Sequence, residues 1–335
     1  MLPRSEAESN RRRLAPTCGR DYSAASDGSR VLETVFLKRP STIAYMTRAF
    51  VPSPGLKGTR RFPPIRMVWK NAKVGRQELS SFLRLTGLRL GQGMPLLFPH
   101  VFGFRLQMAL LTHPAFPMPI WGALQIRNHL LQHRPIFPDD SLELETRVAG
   151  QRILEKGAEV DLYTAVRSED ELAWESLTTF YYRGRFGEQG APSPLARPPE
   201  TTGEEIARWR TTGGSGWRFG GLTGDFNGIH WSSWYARAFG FRRAFHHPQR
   251  VLGQCLARLQ AIGTAPTQRL DAWLKGPVYY DSDVALRATD GPNGIVCALF
   301  QDGEDRPAII ARWSAAPADS RLIDEDDVPV PSPSD

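Results

Sequence analysis

Three consecutive runs of this chain alternate apolar and polar residues with a period of two, and this pattern constrains the fold more than any other feature. The runs cover residues 142–148, 160–166 and 171–184. Successive side chains of a β-strand point to opposite faces of a sheet, so each run predicts a strand with one face in a core. Because the three runs follow one another, they predict an antiparallel meander. A helix-like segment over 99–111 precedes it.

The second part of the chain repeats this order of elements. The spacing of apolar residues predicts a short helix over 232–239 and a longer helix over 248–262. Strands are then predicted over 270–280, 284–289, 295–301 and 308–314. Two copies of a helix followed by antiparallel strands predict an α+β fold with internal pseudo-symmetry.

Composition divides the chain into five segments. Residues 1–60 are polar and basic, and we expect them to be disordered or to form an approach to the first domain. Residues 61–186 form the N-terminal unit and residues 205–316 the C-terminal unit. Residues 187–204 are rich in proline, glycine and charge, as is typical of an inter-domain linker. Residues 317–335 form an acidic, proline-bearing tail that is expected to fray.

The charge of the chain favours an anionic partner. A formal net charge of +7 and a pI of about 9.5 suit a phosphate group, a CoA ester or an acidic carrier protein. The sequence contains no zinc-ligand spacing, helix-turn-helix pattern or RNA-binding aromatic motif, so nucleic acid is not expected as a partner.

Cysteine usage and hydropathy bear on location. Cys18, Cys255 and Cys297 form no paired framework, which is typical of a reducing compartment. The most apolar region, 94–126, is interrupted by prolines and an arginine, so no membrane span is expected. The start of the chain does not resemble a secretory leader, and the predicted location is the cytoplasm.

The segment Thr223–His230, with the sequence TGDFNGIH, places three polar side chains within six residues. Asp225, Asn227 and His230 lie between glycines and an aromatic, helix-like run. Such clusters usually form turns, because aspartate and asparagine side chains bond their own backbone. The same residues also suit acid–base chemistry, since a carboxylate and an imidazole can accept protons whereas a carboxamide does not titrate.

Three ordered segments resemble the MaoC-like dehydratase family, which includes the (R)-specific enoyl-CoA hydratases. That family carries G-D-x-N-P-x-H, an Ala-Arg-x-x-Gly-Phe run and an Ala-His-Gly turn. The corresponding segments here read TGDFNGIH, YARAFGF and FHHPQRVLG. Residues 95–117 and 128–136 resemble the paired, noncatalytic half of double hot-dog members. The resemblance spans roughly residues 63–315.

The resemblance implies a tandem hot-dog fold, in which each long helix is wrapped by a curved antiparallel sheet. It implies hydration of trans-2-enoyl thioesters to (R)-3-hydroxyacyl thioesters, or the reverse dehydration, on CoA or an acyl carrier protein. Asp225 and His230 would activate one water, and Asn227 would orient the loop. No cofactor or metal is implied, and the chain would act as a monomeric pseudo-dimer or as a homodimer.

The chain departs from the family pattern at two positions. Gly228 replaces the usual proline of the loop. Pro248 stands where the family has the glycine whose backbone N–H is thought to face the thioester oxygen, and proline has no N–H. The free backbone amides of Gln249 and Arg250, or the ring of His247, are therefore expected to bind the thioester oxygen instead.

Two other functions compete with the hydratase. A hot-dog thioesterase would act on the same substrates, but such enzymes generally place a carboxylate on the central helix, where this chain has Gln249 and Gln254. An acyl-binding or partner module could have kept the fold after losing the oxyanion donor. Pro248 favours the module, and the Asp225–His230 pair favours the enzyme.

Overall fold

A computed structural model describes residues 31–56, 61–259 and 265–323. Its helices are α1 (Thr42–Arg48), α2 (Arg76–Thr86), α3 (Phe98–Leu111), α4 (Gly216–Thr223), α5 (Ser233–Ala238) and α6 (Pro248–Leu256). None of the helices in the described ranges is long and apolar enough to cross a membrane.

The strands form one continuous sheet. They are β1 (Leu32–Phe36), β2 (Ile65–Ala72), β3 (Leu124–Gln132), β4 (Leu142–Leu154), β5 (Gly157–Ser168), β6 (Glu171–Arg183), β7 (Glu204–Arg210), β8 (Gln268–Leu274), β9 (Asp283–Gly291), β10 (Gly294–Gln301) and β11 (Ile309–Ala315). Their order across the sheet is β1-β2-β4-β5-β6-β3-β8-β11-β10-β9-β7. All neighbours are antiparallel except β1 and β2, which are parallel.

The sheet consists of two halves with the same topology. One unit contains β2 to β6 and the other contains β7 to β11. If the five strands of each unit are numbered in chain order, their order from the outer edge of the sheet to its centre is first, third, fourth, fifth, second in both units. β3 and β8 join the halves, with Leu130 opposite Leu270. The predicted α+β double hot-dog fold is confirmed, and the two predicted sheets are fused edge to edge.

The two central helices lie on the same side of this sheet in the main core. All residues of α3 are buried, including Arg105 and Gln107. α6 buries Val251, Leu252 and Cys255 in the same core cluster. α6 is shorter than predicted: it ends at Leu256, although the apolar stripe continues to the buried Leu259, and Ile262 lies outside the described residues.

The approach segment, the linker and the start of the tail are more ordered than the sequence predicts. The approach segment contains β1 and α1, whereas residues 1–30 and 57–60 of the predicted disorder lie outside the described residues. The tail does not fray at its start, because Leu322 is buried and its N–H donates to Glu175 Oε1 at 3.0 Å. The linker packs on the outer face of the sheet, where Trp273 Nε1 donates to Leu195 O at 2.8 Å.

Candidate active site

The loop that carries Asp225 starts at Gly224, which ends α4. Gly224 has a φ of 77°, and its N–H donates to Gly220 O at 2.7 Å. A Cβ at this position would lie 1.9 Å from the Tyr45 hydroxyl oxygen. Both the left-handed backbone and this close approach require glycine.

Two buried side chains of the first half hold the base of this loop. The Tyr45 hydroxyl donates to Gly224 O at 2.9 Å. Arg105 of α3 donates to Gly221 O and, at 2.8 Å, to Thr42 Oγ1. Burial lowers the pKa of the Arg105 guanidinium. Sequence reasoning missed both residues. The single charge in the apolar helix α3 was the only signal for Arg105, and no signal marked Tyr45.

The interior of the loop is built from side chain to backbone hydrogen bonds. Asp225 Oδ1 accepts the Asn227 N–H at 3.0 Å, and Asn227 Oδ1 accepts the Ile229 N–H at 3.3 Å. Asn227 thereby caps the 3-10 turn Gly228–His230. These bonds turn the chain so that the side chains of Asp225 and His230 approach each other.

The carboxylate of Asp225 and the imidazole of His230 lie next to each other. Asp225 Oδ2 lies 3.6 Å from His230 Nε2, which is longer than a hydrogen bond. His230 Nδ1 lies 3.1 Å from Phe245 O, and a carbonyl only accepts, so Nδ1 carries a proton. In the neutral ring Nε2 is then an acceptor. A carboxylate oxygen and an unprotonated imidazole nitrogen at this separation can each accept a hydrogen bond from one water.

Burial and charge set the protonation of the loop side chains. Burial raises the pKa of the Asp225 carboxyl, but the adjacent His230 and the Asn227 N–H together lower it to about 2. The carboxylate is therefore ionised near neutral pH. Burial, with the neighbouring His230, lowers the pKa of His247 to about 3, so that ring is neutral.

His247 contacts both Asp225 and His230 of the loop. Its ring stacks on His230 with centroids 3.8 Å apart, and its Nε2 donates to Asp225 O at 3.1 Å. The expected ring donor for a thioester oxygen is therefore already used. Asp225, His230 and His247 place one potential metal-ligand atom each within 4.8 Å of one another.

The start of α6 leaves one backbone amide for a ligand. The Arg250 N–H donates to His247 O at 3.0 Å, so the expectation that this amide is free is wrong. The Arg250 side chain is buried against Ser215 Oγ and His246 Nδ1. Pro248 has no N–H, so the Gln249 amide is the first one available at this positive end of the helix.

A cavity of about 320 Å³ joins these groups across the two halves. Among the polar side chains that line it, the second half contributes Asp225, His230 and Gln249, and the first half contributes Gln125. Apolar side chains from both halves complete the wall: Phe104, Phe180, Ile229, Phe241, Phe245, Leu274 and Ile309. His247 and Arg250 do not line it.

The lining also contains two exposed cations, Arg183 and Lys275. They place positive charge where the cavity meets solvent, which suits an anionic group on a ligand. Two tryptophans after the loop, Trp231 and Trp234, are 44% and 77% exposed.

The glycine at position 228 has a structural cause. A Cβ there would lie 2.6 Å from Tyr235 Cδ1, so the ring of Tyr235 occupies the space that a larger residue would need.

We expect Gly228→Ala to destabilise the fold by about 1–3 kcal/mol through this overpacking. Tyr235→Ala in the same chain should cancel much of the added cost, and thermal denaturation of both single variants and the double variant measures the coupling. Gly221→Ala is the control, because a Cβ there meets no atom within 4 Å. Equal melting temperatures for Gly228→Ala and wild type would contradict the explanation.

Comparison with known proteins agrees with this fold. No model of a protein family matches the chain. The 3-hydroxyacyl-thioester dehydratase X of Mycobacterium tuberculosis is 27% identical over 276 residues, which cover 82% of this chain and 98% of that protein. The chain is thus similar to MaoC-like dehydratases in their double hot-dog form.

Solved structures extend this likeness to three dimensions. The crystal structure of HtdX of M. tuberculosis superposes with a TM-score of 0.65 at 25% identity, over 75% of this chain and all of that one. A MaoC-like dehydratase from Phytophthora capsici has a TM-score of 0.60 at 16% identity, over 76% of this chain and 96% of that one, and shows the fold alone. The chain thus spans nearly the full length of these relatives.

Proposed function

We propose that this protein is a hydro-lyase that hydrates trans-2-enoyl thioesters to (R)-3-hydroxyacyl thioesters and catalyses the reverse dehydration. The observation that carries the proposal is the pair of acceptors 3.6 Å apart, Asp225 Oδ2 and His230 Nε2, at the wall of a cavity that both halves line. The dehydratase activity in the name of the M. tuberculosis relative supports it.

The pair acts on one water. In the hydration direction, the water oxygen bonds to the β-carbon of the enoyl group, and one water proton passes to the Asp225–His230 pair. The electrons of the double bond move toward the thioester oxygen, and the proton returns from the pair to the α-carbon. All atoms of water are thus added, and the pair ends in its starting protonation state.

The developing charge on the thioester oxygen needs a donor. The backbone N–H of Gln249 at the start of α6 supplies it, with the positive end of the helix dipole behind it. Asn227 orients the loop, while His247 and Arg250 support the site without lining the cavity.

The substrate carries a phosphate-bearing group at the mouth. Arg183 and Lys275 line the cavity and are exposed, so they suit the phosphates of CoA or of a carrier protein's prosthetic group. The apolar wall suits the acyl chain.

An absorbance assay tests this function. We expect the ultraviolet absorbance of the conjugated enoyl thioester to fall when the protein is added to crotonyl-CoA, a longer enoyl-CoA or a carrier-bound enoyl group. Loss of absorbance without release of free thiol identifies hydration. Release of thiol would identify a thioesterase, and no turnover on any of the three substrates would favour an acyl-binding module.

A further inference from the structure

Gln249 has a side chain that the mechanism above does not use. The residue is 2% exposed and lines the cavity beside Pro248, where the usual backbone donor is missing. Its Nε2 donates to Gln125 Oε1 at 2.6 Å, and its Oε1 is buried without a partner among the described residues. A buried polar atom without a hydrogen-bond partner is unfavourable, so the Gln249 carboxamide is a candidate to bind a ligand in the cavity.

Gln249 is the end of a chain of amides that starts in the first half. Gln125 of β3 donates through Nε2 to Asn128 Oδ1 at 2.7 Å and lies 3.3 Å from His100 Nε2. Asn128 and His100 are 0% and 1% exposed. Burial lowers the pKa of His100 to about 3, so the ring is neutral and carries one proton.

The hydrogen bonds among these side chains can also run in the opposite direction, with donors and acceptors exchanged. The oxygen and nitrogen of a carboxamide have nearly the same shape, so a half-turn of each amide preserves every contact. Asn128 Nδ2 and His100 Nε2 then donate to Gln125 Oε1, and Gln125 Nε2 donates to Gln249 Oε1.

The two directions differ in where they leave unpaired donors. In the first, Asn128 Nδ2 and His100 Nδ1 are buried without partners in the described part of the chain. In the second, both residues donate to Gln125, and among the described residues the one unpaired donor group of the four side chains is Nε2 of Gln249, a residue that lines the cavity. Buried N–H groups without acceptors are rarer than unpaired acceptors, so the second direction is favoured once an oxygen of a ligand faces Gln249.

We propose that the Gln249 carboxamide donates to the thioester oxygen in place of the missing N–H of residue 248, and that Gln125, Asn128 and His100 of the first half fix it in the donating direction. This inference rests on the proposed function. It makes the half that lacks the catalytic pair a contributor to the reaction, because the direction of the chain of amides is set there.

The first test removes the donor. Gln249→Met keeps the length of the side chain without its polar atoms, and removing one oxyanion donor typically lowers kcat by about 100-fold or more. We expect that loss on crotonyl-CoA with KM changed less than about threefold. Gln254→Met is the matched control, since Gln254 lies on α6 with an unpaired buried Oε1 but does not line the cavity. It should keep wild-type kcat.

The second test reverses the direction of the hydrogen bond between residues 125 and 249. An ionised glutamate side chain only accepts hydrogen bonds, so in Gln125→Glu the Gln249 Nε2 bonds to residue 125 and its oxygen faces the substrate. Above pH 8 we expect Gln125→Glu to lose kcat as strongly as Gln249→Met. Gln125→Met leaves Gln249 free to rotate and should lose less. A purely structural role would give the opposite order, because glutamate keeps the hydrogen bonds and methionine does not.

The outcomes separate this inference from the proposed function. Absence of turnover in the wild type removes the proposed function. Turnover in the wild type that Gln249→Met keeps within about threefold overturns the inference alone, as does a Gln125→Glu variant that is more active than Gln125→Met. Each variant is first checked for a wild-type circular dichroism spectrum, and if Gln249→Met does not fold, the order of the two Gln125 variants decides.

Discussion

Replacing Asp225 by asparagine should lower the turnover number on a trans-2-enoyl thioester by at least about 100-fold, because acid–base groups typically contribute roughly 100- to 10,000-fold. The variant keeps an oxygen for the Asn227 N–H, which Asp225 Oδ1 accepts at 3.0 Å, so the loop should keep its shape. Its new N–H₂ group faces His230 Nε2, which in wild type lies 3.6 Å from the carboxylate. The site would then lose both acceptors for the water.

The measurement is kcat for crotonyl-CoA hydration together with the melting temperature. His230→Ala should also lower kcat strongly, since it removes the second acceptor. Asp290→Asn on β9 is the control, because that exposed carboxylate does not line the cavity. Near-wild-type turnover in Asp225→Asn would assign the water to other groups and would remove the proposed role of the pair.

The strands could be predicted where one face alone is buried. β4 buries Leu142, Leu144 and Thr146 while the residues between them are partly exposed, and the alternation shows this. β2 and β3 were not predicted, because each has a run of consecutive buried residues that hides the period of two. A buried run of that kind can be a strand or a helix by pattern alone.

The candidate site could be predicted where its residues are close in sequence. Asp225, Asn227 and His230 lie within six residues, so their hydrogen bonds are local and the motif reveals them. Tyr45 supports the same loop from 179 residues away. Gln125 meets Gln249 from 124 residues away. Contacts of this kind follow from the packing of the two halves, and no local pattern encodes them.

The amide of Arg250 shows a limit of a different kind. The rule that the first four N–H groups of a helix are free predicts an available donor. In the structure the first turn closes with a bond of the 3-10 type, from Arg250 N–H to His247 O at 3.0 Å. Sequence specifies that a helix begins near Pro248 but not how tightly its first turn closes.

Three neutral histidines should make the protein acid-labile well above the pH at which its carboxylates titrate. His100, His246 and His247 are 1–2% exposed, and burial lowers their pKa values to about 3, about 2 and about 3. In the unfolded chain a histidine titrates near a pKa of about 6.5. Between these values the unfolded state binds more protons than the folded state, so stability falls as the pH falls from about 6.5.

The effect is large compared with the stability of a typical domain. From pH 7 to pH 5 each of the three histidines removes about 2 kcal/mol, and together they remove about 5–6 kcal/mol. Domains have unfolding free energies of roughly 5–15 kcal/mol. The pKa of Asp225 is lowered to about 2, so the contribution of its carboxylate to stability is lost only below about pH 3.8. Asp225 therefore adds nothing to the change in stability between pH 7 and pH 5.

Urea denaturation at pH 5, 6 and 7 measures this dependence. We expect stability to fall steeply from pH 7 to pH 5, where these histidines take up protons in the unfolded chain. His246→Gln should remove about one third of the fall, because glutamine offers Arg250 an oxygen acceptor in place of His246 Nδ1 but binds no proton. A wild-type stability that is the same at pH 5 and pH 7 would mean that these rings protonate in the folded state. In that case His247, whose Nε2 donates to Asp225 O at 3.1 Å, would carry a positive charge beside the Asp225 carboxylate.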